Sequence, residues 1–366
     1  MSTDHPPTPH ERVMQLLMGK LAGQALTQIA ELGVADELAH GPRTAAHLAE
    51  ALDANEDALY RTMRALAAMG FFTESPGRVF ANNANSETLR SAGPGSLRAF
   101  ARWIGEETSW WKAWGNLSYS LRTGRPGAEL AFDGTTFEFL GRNPRVTEVF
   151  QGAMSDLSAA AARAVAEAYD FGGLTRIVDV GGGHGTLLAA ILSSQPDATG
   201  TLFDLPEVIA GAGAALEATG LSGRIQQVAG DFFEGVPAGA DAYLLKHIIH
   251  DWDDDRCIRL LEHCRRGLNP GGRILIIEQV LGDGPGSVQA KLADLEMLVM
   301  TPGGRERTGA EFARLLRRAG LEMQRIVLTG SPVCVVEAFI TKASPPGADA
   351  IPAAGNVHRT KQTARS

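Results

Sequence analysis

"IVDVGGGHGTLLAAIL", residues 177–192, decides the fold. A short, mostly aliphatic run leads straight into Gly181, Gly182, Gly183 and Gly185, and an apolar helical stretch follows. Glycine at a strand-to-helix junction lets the backbone take positive φ and lets a ligand come close. The spacing is G-x-G-x-G rather than the G-x-G-x-x-G of dinucleotide binders, and no Lys-Ser/Thr pair follows as in a phosphate-binding loop. By itself the loop fits a nucleotide-like ligand or a tight structural turn.

Working outward, strand-like and helix-like segments alternate from residue 175 onward. RIVDV (176–180), TGTLFDL (199–205), RIQQVAG (224–230), DAYLLK (241–246), GRILIIEQV (272–280), LEMQRIVL (321–328) and VCVVEAFI (333–340) read as strands. This rhythm predicts an α/β fold with a mostly parallel sheet covered on both faces. Asp204, in LFDLP, lies about 20 residues past the glycines, where a carboxylate can accept both hydroxyl protons of a ribose. Asp231, in AGDFF, follows the third strand, where an adenine edge could be met and Phe232 could pack on the ring. Either aspartate alone reads equally well as a helix cap. Three successive strand ends with ligand-type chemistry on one edge point instead to a site.

Upstream, VMQLLMGKLAGQALTQIAELGVADEL has apolar residues at helical spacing, TAAHLAEALD opens on a Thr cap, and NEDALYRTMRALAAMG runs from Asn55 to Gly70. FFTESPGRVFANN then reads as a hairpin turning at Pro76 and Gly77. Three helices and a hairpin make a winged-helix order, which raises DNA binding. Charge argues against it: residues 1–100 hold eight basic and eleven acidic side chains, and the third helix opens on Glu56 and Asp57. A packing or dimerisation module is the better reading. Residues 101–170 carry four of the five tryptophans (Trp103, Trp110, Trp111, Trp114) among helices, suited to an apolar pocket wall. The last stretch, 342–366, is rich in Pro, Ala and Gly and reads as disordered.

A chain of 366 residues, 44% hydrophobic, has enough apolar material for two domains. A net charge of −8 disfavours nucleic acid and anionic membranes as partners. Three cysteines without C-x-x-C spacing suggest neither a disulfide framework nor a structural zinc site. With no apolar run of membrane length and no basic-then-apolar leader, the expected compartment is the cytoplasm.

The stretch "LLKHIIHDWDDDRC", residues 244–257, puts His247 and His250 beside four aspartates. Asp253, Asp254 and Asp255 stand where a helix begins, and its dipole accounts for them. No further ligand set converges in the sequence, so no metal is expected there.

With VDVGGGHG, FDLP, GDFF, LLKHIIHDWDDDRC, GGRILIIEQV and MLVMTPGGRERT in this order, the sequence resembles the S-adenosylmethionine-dependent O-methyltransferases of the caffeic-acid and hydroxyindole type, including bacterial natural-product members. The likeness runs from about residue 12 to 340, and the block 244–307 is its most specific part. It implies a class I methyltransferase domain, Rossmann-like with a seven-stranded sheet, behind an N-terminal winged-helix dimerisation domain. The expected division is 11–100 for dimerisation, 101–170 for a helical linker and pocket wall, and 171–341 for the cofactor-binding domain.

The same resemblance assigns roles. Gly181 and Gly183 would lie against the methionine part of S-adenosylmethionine, Asp204 would hold its ribose, and Asp231 with Phe232 would meet its adenine. Lys246 would also touch the cofactor, and Trp252 would shield it. His250 matches the catalytic base, and Glu278 and Glu306 match the acids flanking it. Phe150, Met154, Met297 and Thr301 fall where the family lines its acceptor pocket. One position departs: plant members often carry Trp where this chain has His247, which is read as pocket wall and weakens a plant-type acceptor.

The implied chemistry is an in-line displacement by an oxygen nucleophile. Alignment alone contributes roughly 7–11 kcal/mol, and a positioned imidazole adds about 10²–10⁴ in rate by taking the hydroxyl proton. A carboxylate on one ring nitrogen would orient the base; Glu278 is the expected orienter and Glu306 the second flank. The expected function is O-methylation of a phenolic hydroxyl on an aromatic small molecule by a homodimer. The rival readings are N-methylation, a hydroxylase or decarboxylase on the same fold, and a winged-helix regulator.

Overall fold

A computed structural model describes residues 6–93, 95–106, 109–282 and 288–341. The tail read as disordered, 342–366, lies outside the described residues.

The N-terminal part is helical. Pro9–Leu32 starts with a capping box, Thr8 and Glu11 each bonding the other's backbone N–H, and ends at left-handed Gly33. The shorter helices Ala45–Ala51 and Glu56–Ala68 start where the sequence placed them, with Thr44 accepting from His47 N and Asn55 from Ala58 N. Strands β1 (Arg43–Thr44), β2 (Thr73–Ser75) and β3 (Val79–Ala81) form a small antiparallel sheet, ordered β1-β3-β2. Its hairpin turns through Gly77 and Arg78, both at positive φ. Three helices and a wing are therefore present as read.

Helices then cross over to the second part, the longest being Pro144–Ala168. Beyond it lie β4 (Arg176–Val180), β5 (Thr199–Asp204), β6 (Ile225–Ala229), β7 (Ala240–Lys246) and β8 (Leu268–Glu278). Two short strands, β9 (Val280–Leu281) and β10 (Arg307–Thr308), pair with each other. β11 (Leu321–Leu328) and β12 (Cys334–Ile340) complete a seven-stranded sheet ordered β11-β12-β8-β7-β4-β5-β6. β12 runs antiparallel to both its neighbours, β11 and β8, and the other described pairings of this sheet are parallel. β8 begins earlier than GRILIIEQV: Leu268 pairs with Ala240 and Arg273 with Ala242, so Asn-Pro-Gly-Gly bulges out of the ladder instead of ending it.

Pleating sends alternate residues to opposite faces. Leu244, Leu275 and Ile277 join one core. Tyr243, Leu245, Ile274 and Ile276 join the other. A sheet buried on both faces has only its strand ends free for polar chemistry. Val180, Asp204, Ala229, Lys246 and Glu278 all end at the carboxyl edge, and β4 with β7 marks where the strand order reverses. Open α/β sheets form their ligand crevice there.

One apolar surface is left uncovered in the single chain. On the first helix Val13, Leu16, Leu17 and Leu21 are exposed, Leu16 at 81%. Contiguous exposed aliphatics on one helix are an association surface. The chain should therefore run as a homodimer in light scattering, and Leu17→Asp with Leu21→Asp should shift the mass to that of one chain, 38.8 kDa. An unchanged mass would place the interface elsewhere.

Candidate active site

Two segments meet at the carboxyl edge. The first is the glycine loop. Gly181, Gly183 and Gly185 have φ of 66°, 58° and 78°. A Cβ on Gly181 would stand 2.4 Å from Ile248 Cδ1, whereas one on Gly183 would meet nothing within 4 Å. Gly181 thus lets the loop pack on the segment after β7, and Gly183 faces open space. Asp204 Oδ2 accepts from Gly183 N at 2.8 Å and Oδ1 from Leu205 N at 2.7 Å. Burial raises the Asp204 pKa against these bonds.

The second segment follows β7. His247 sits at φ 55°, a left-handed conformation that costs a non-glycine residue about 1–3 kcal/mol and that clusters at functional sites. From it the chain enters the 3-10 turn Ile249–Asp251, which carries His250. The His250 Nδ1 lies 2.8 Å from Glu306 Oε1, and its backbone N–H donates to Glu278 Oε1 at 3.0 Å. His250 keeps 12% side-chain exposure and Glu306 none. The structure thus reverses the roles expected of the two acids: Glu306 orients the ring and Glu278 holds the backbone. Glu278 ends a strand under the turn and so reaches its N–H, while Glu306 comes from the β10 loop alongside the ring.

Charge at this point is concentrated. Burial lowers the His250 pKa, but Asp251 at 3.7 Å from Nε2, the Glu306 hydrogen bond and Glu278 outweigh it and push the imidazole up to about 10. Burial raises Glu278 to about 7 and Asp251 to about 6, both opposed by His250. His247, with its ring 5.1 Å from that of His250, goes the other way: burial, Lys246 and His250 drive its pKa well below the ordinary value, so it stays neutral.

A buried arginine locks the turn. Arg307 Nη1 donates to Ile249 O at 2.9 Å, and Nη2 donates to Trp252 O at 3.0 Å and to Asp254 Oδ1 at 2.8 Å. Arg305 N donates to His250 O at 2.8 Å. Gly304 permits this approach, since a Cβ there would lie 2.5 Å from His250 O. Asp253 caps Asp254–Gly267 as expected, but Asp254 also serves as the partner of Arg307.

Several other expected residues share this edge. Lys246 Nζ donates to Ser158 Oγ at 2.8 Å. Burial lowers Lys246 to about 8 and raises Asp179 to about 7, and each charge opposes the other's shift. Among the described residues neither Asp179 carboxylate oxygen has a hydrogen-bond partner. Phe232, Phe233 and Trp252 form an edge-to-face cluster with centroids 4.8 to 6.1 Å apart, and Phe137 stacks on Trp252 at 5.7 Å. Asp231 is turned to its own loop, Oδ1 accepting from Phe233 N. Phe150 meets Trp103 edge-on at 5.5 Å, and Met154 lies one turn further on the same helix. Met297 and Thr301 are buried, and the Thr301 hydroxyl donates to Met297 O.

Sequence reading missed Asp251, Arg307, Asp179 and Ser158. Asp179 did carry a signal, a carboxylate inside a five-residue buried strand. Nothing in "GGRERT" distinguishes a buried arginine from a solvated one.

Comparison with known proteins accounts for this arrangement. Residues 114–322 match the model of the O-methyltransferase domain, and residues 14–91 match the O-methyltransferase dimerisation domain. The chain belongs to the O-methyltransferase family. It is 40% identical to a mitomycin biosynthesis 6-O-methyltransferase of Streptomyces lavendulae, over 89% of this chain and 93% of that one. It is 38% identical to a phenazine O-methyltransferase of Lysobacter antibioticus, over 89% and 95%. Crystalline human N-acetylserotonin methyltransferase in complex with SAM superposes with a TM-score of 0.85 at 27% identity, covering 93% of this chain and all of that one. Some relatives are N-methyltransferases.

This O-methyltransferase uses S-adenosylmethionine, and its residues fit that group. Gly183 leaves open space beside the loop, Asp204 ends β5 where a diol can be bound, and an aromatic cluster lies beyond. Among the described residues no helix is long and apolar enough to cross a membrane.

The Arg307 lock gives a stability prediction. Arg307→Met takes the guanidinium from two turn carbonyls, leaving Ile249 O only the Cys257 thiol and the long Trp252 N–H bond and Trp252 O only the thiol, at roughly 1.5–3 kcal/mol for a hydrogen bond lost from a charged donor. Urea unfolding should show a loss of that order, with methyl transfer reduced more than S-adenosylmethionine binding. Unchanged stability would mean the carbonyls find other donors.

Proposed function

We propose that this enzyme methylates a phenolic hydroxyl of an aromatic small molecule, with His250 as general base. The observation that carries the reading is the buried hydrogen bond between His250 Nδ1 and Glu306. In the neutral imidazole, Nδ1–H committed to the carboxylate leaves Nε2 as the acceptor of a proton. S-adenosylmethionine supplies the electrophilic methyl group. A hydroxyl held against Nε2 would give its proton to the ring as its oxygen takes the methyl group, the methyl–sulfur bond breaking with its electron pair left on the departing S-adenosylhomocysteine, and Glu306, Glu278 and Asp251 would stabilise the imidazolium that results.

The surrounding residues divide the remaining work. Gly181, Gly183, Asp204, Asp231, Phe232, Lys246 and Trp252 hold the cofactor. Phe150, Met154, His247, Met297 and Thr301 line the acceptor pocket, which is apolar because His247 stays neutral and Thr301 spends its proton on its own helix. Residues 11–100 pair two chains, 101–170 wall the pocket, and 171–341 bind the cofactor. Names of relatives such as 3-amino-4-hydroxybenzoate 4-O-methyltransferase and 2,7-dihydroxy-5-methyl-1-naphthoate 7-O-methyltransferase support an aromatic hydroxyl acceptor. An amine needs less help from a base, so the intact His250–Glu306 pair favours oxygen over nitrogen.

Two measurements test the base. His250→Ala should lower methyl transfer by about 10²–10⁴ with S-adenosylmethionine affinity retained; transfer at the wild-type rate would remove the assignment. Because the base works as neutral imidazole and its pKa is raised, kcat/KM should fall as pH drops through a value above 6.5. Glu306→Gln removes one of the groups that raise it and should move this acid limb to lower pH; an unmoved limb would assign it to another group.

A further inference from the structure

Glu296 has no part in the proton transfer, yet it is the most unusual group near it. It lies on the helix Val288–Met300, one residue before Met297. Trp110 Nε1 donates to its Oε1 at 2.5 Å and Trp114 Nε1 to its Oε2 at 2.6 Å. The two indoles come from the short helix Trp110–Trp114, with ring centroids 5.2 Å apart. Trp110 in turn meets Trp103 at 6.1 Å, and Trp103 meets Phe150 at 5.5 Å. Glu296 therefore continues the aromatic wall that includes Phe150.

If it only tied two helices together, a neutral partner would serve without the cost of desolvating a carboxylate. Its surroundings push its pKa up to about 7 by burial, opposed by the two indole hydrogen bonds and by the charge of His250, the one cation acting on it among the described residues. Even so, Glu296, Trp110 and Trp114 each keep some accessible surface. Glu296 as a residue is thus half-buried, beside the aromatic wall that the acceptor would meet. Each oxygen offers two lone pairs, and one indole N–H occupies one of them. Among the described residues a free acceptor position remains on each oxygen, fixed in direction because the indoles hold the carboxylate from both sides.

We infer that Glu296 determines acceptor specificity by accepting a hydrogen bond from a second O–H or N–H on the aromatic ring, away from the hydroxyl that is methylated. This rests on the acceptor being an aromatic hydroxyl compound bound beside His250. The favoured substrate class is dihydroxy or aminohydroxy aromatics rather than simple phenols. Glu296 is a specificity residue and takes no proton in the transfer.

The test is equilibrium binding by calorimetry to the full-length protein loaded with S-adenosylhomocysteine. The probes are isomeric dihydroxynaphthalenes, each paired with its monomethyl ethers, which keep the ring system and remove one donor. Wild type should bind at least one diol about 10- to 100-fold more tightly than its weaker-binding ether, the worth of one hydrogen bond to a charged group. Glu296→Gln sets an amide N–H against an indole N–H, so Trp110→Phe is added to remove that conflict. The double variant should lose the preference, and Trp110→Phe alone should keep it. Equal binding of diols and ethers by wild type would overturn the inference, as would a preference that survives in the double variant or vanishes in Trp110→Phe alone. Because the readout is binding, a failure of His250 as base would appear separately, as diol preference without methyl transfer.

Discussion

The hydrogen bond from the His250 ring to Glu306 joins residues 56 positions apart and fixes the rest of the site around it. A buried carboxylate is costly unless something compensates its charge. Here Glu306, Glu278 and Asp251 surround one imidazole, and together they favour its charged form. The balance holds only while the loop 303–307 stays pressed against the turn 249–252. Gly304 makes that approach sterically possible, and Arg307 and Arg305 bind the turn's carbonyls.

The glycine loop is coupled to the same turn by shape. Gly181 packs where a Cβ would collide with Ile248, two residues before His250. A residue read as making room for a ligand therefore also makes room for the segment that carries His250. The strained backbone at His247 belongs to the same construction, since it turns the chain from β7 into that segment. The glycine loop and His250 are thus set relative to each other by packing of the chain itself.

A wall of aromatic rings closes the other side, contributed by helices between the two domains. These rings meet one another through edge-on and tilted contacts. Glu296 is the exception, a charged group set between two indoles, and it gives an otherwise apolar surface a direction. Its two partners lie far in sequence from it.

The sequence by itself determined the strand-helix alternation, the helix caps at Thr44 and Asn55, the hairpin, and the loop that ends β4. These depend on periodicity and on residues one to four positions apart, which are visible in a linear string. The family motifs also placed His250, Glu278 and Glu306 in one site. Only the tertiary structure decided that Glu306 and not Glu278 orients the ring, because that depends on which loop folds alongside the turn and which strand ends beneath it. The same holds for Arg307, whose burial no local pattern announces, and for Glu296, whose partners lie more than 180 residues away. Contacts of that separation are set by how the sheet and the interdomain helices pack, and no local spacing encodes them.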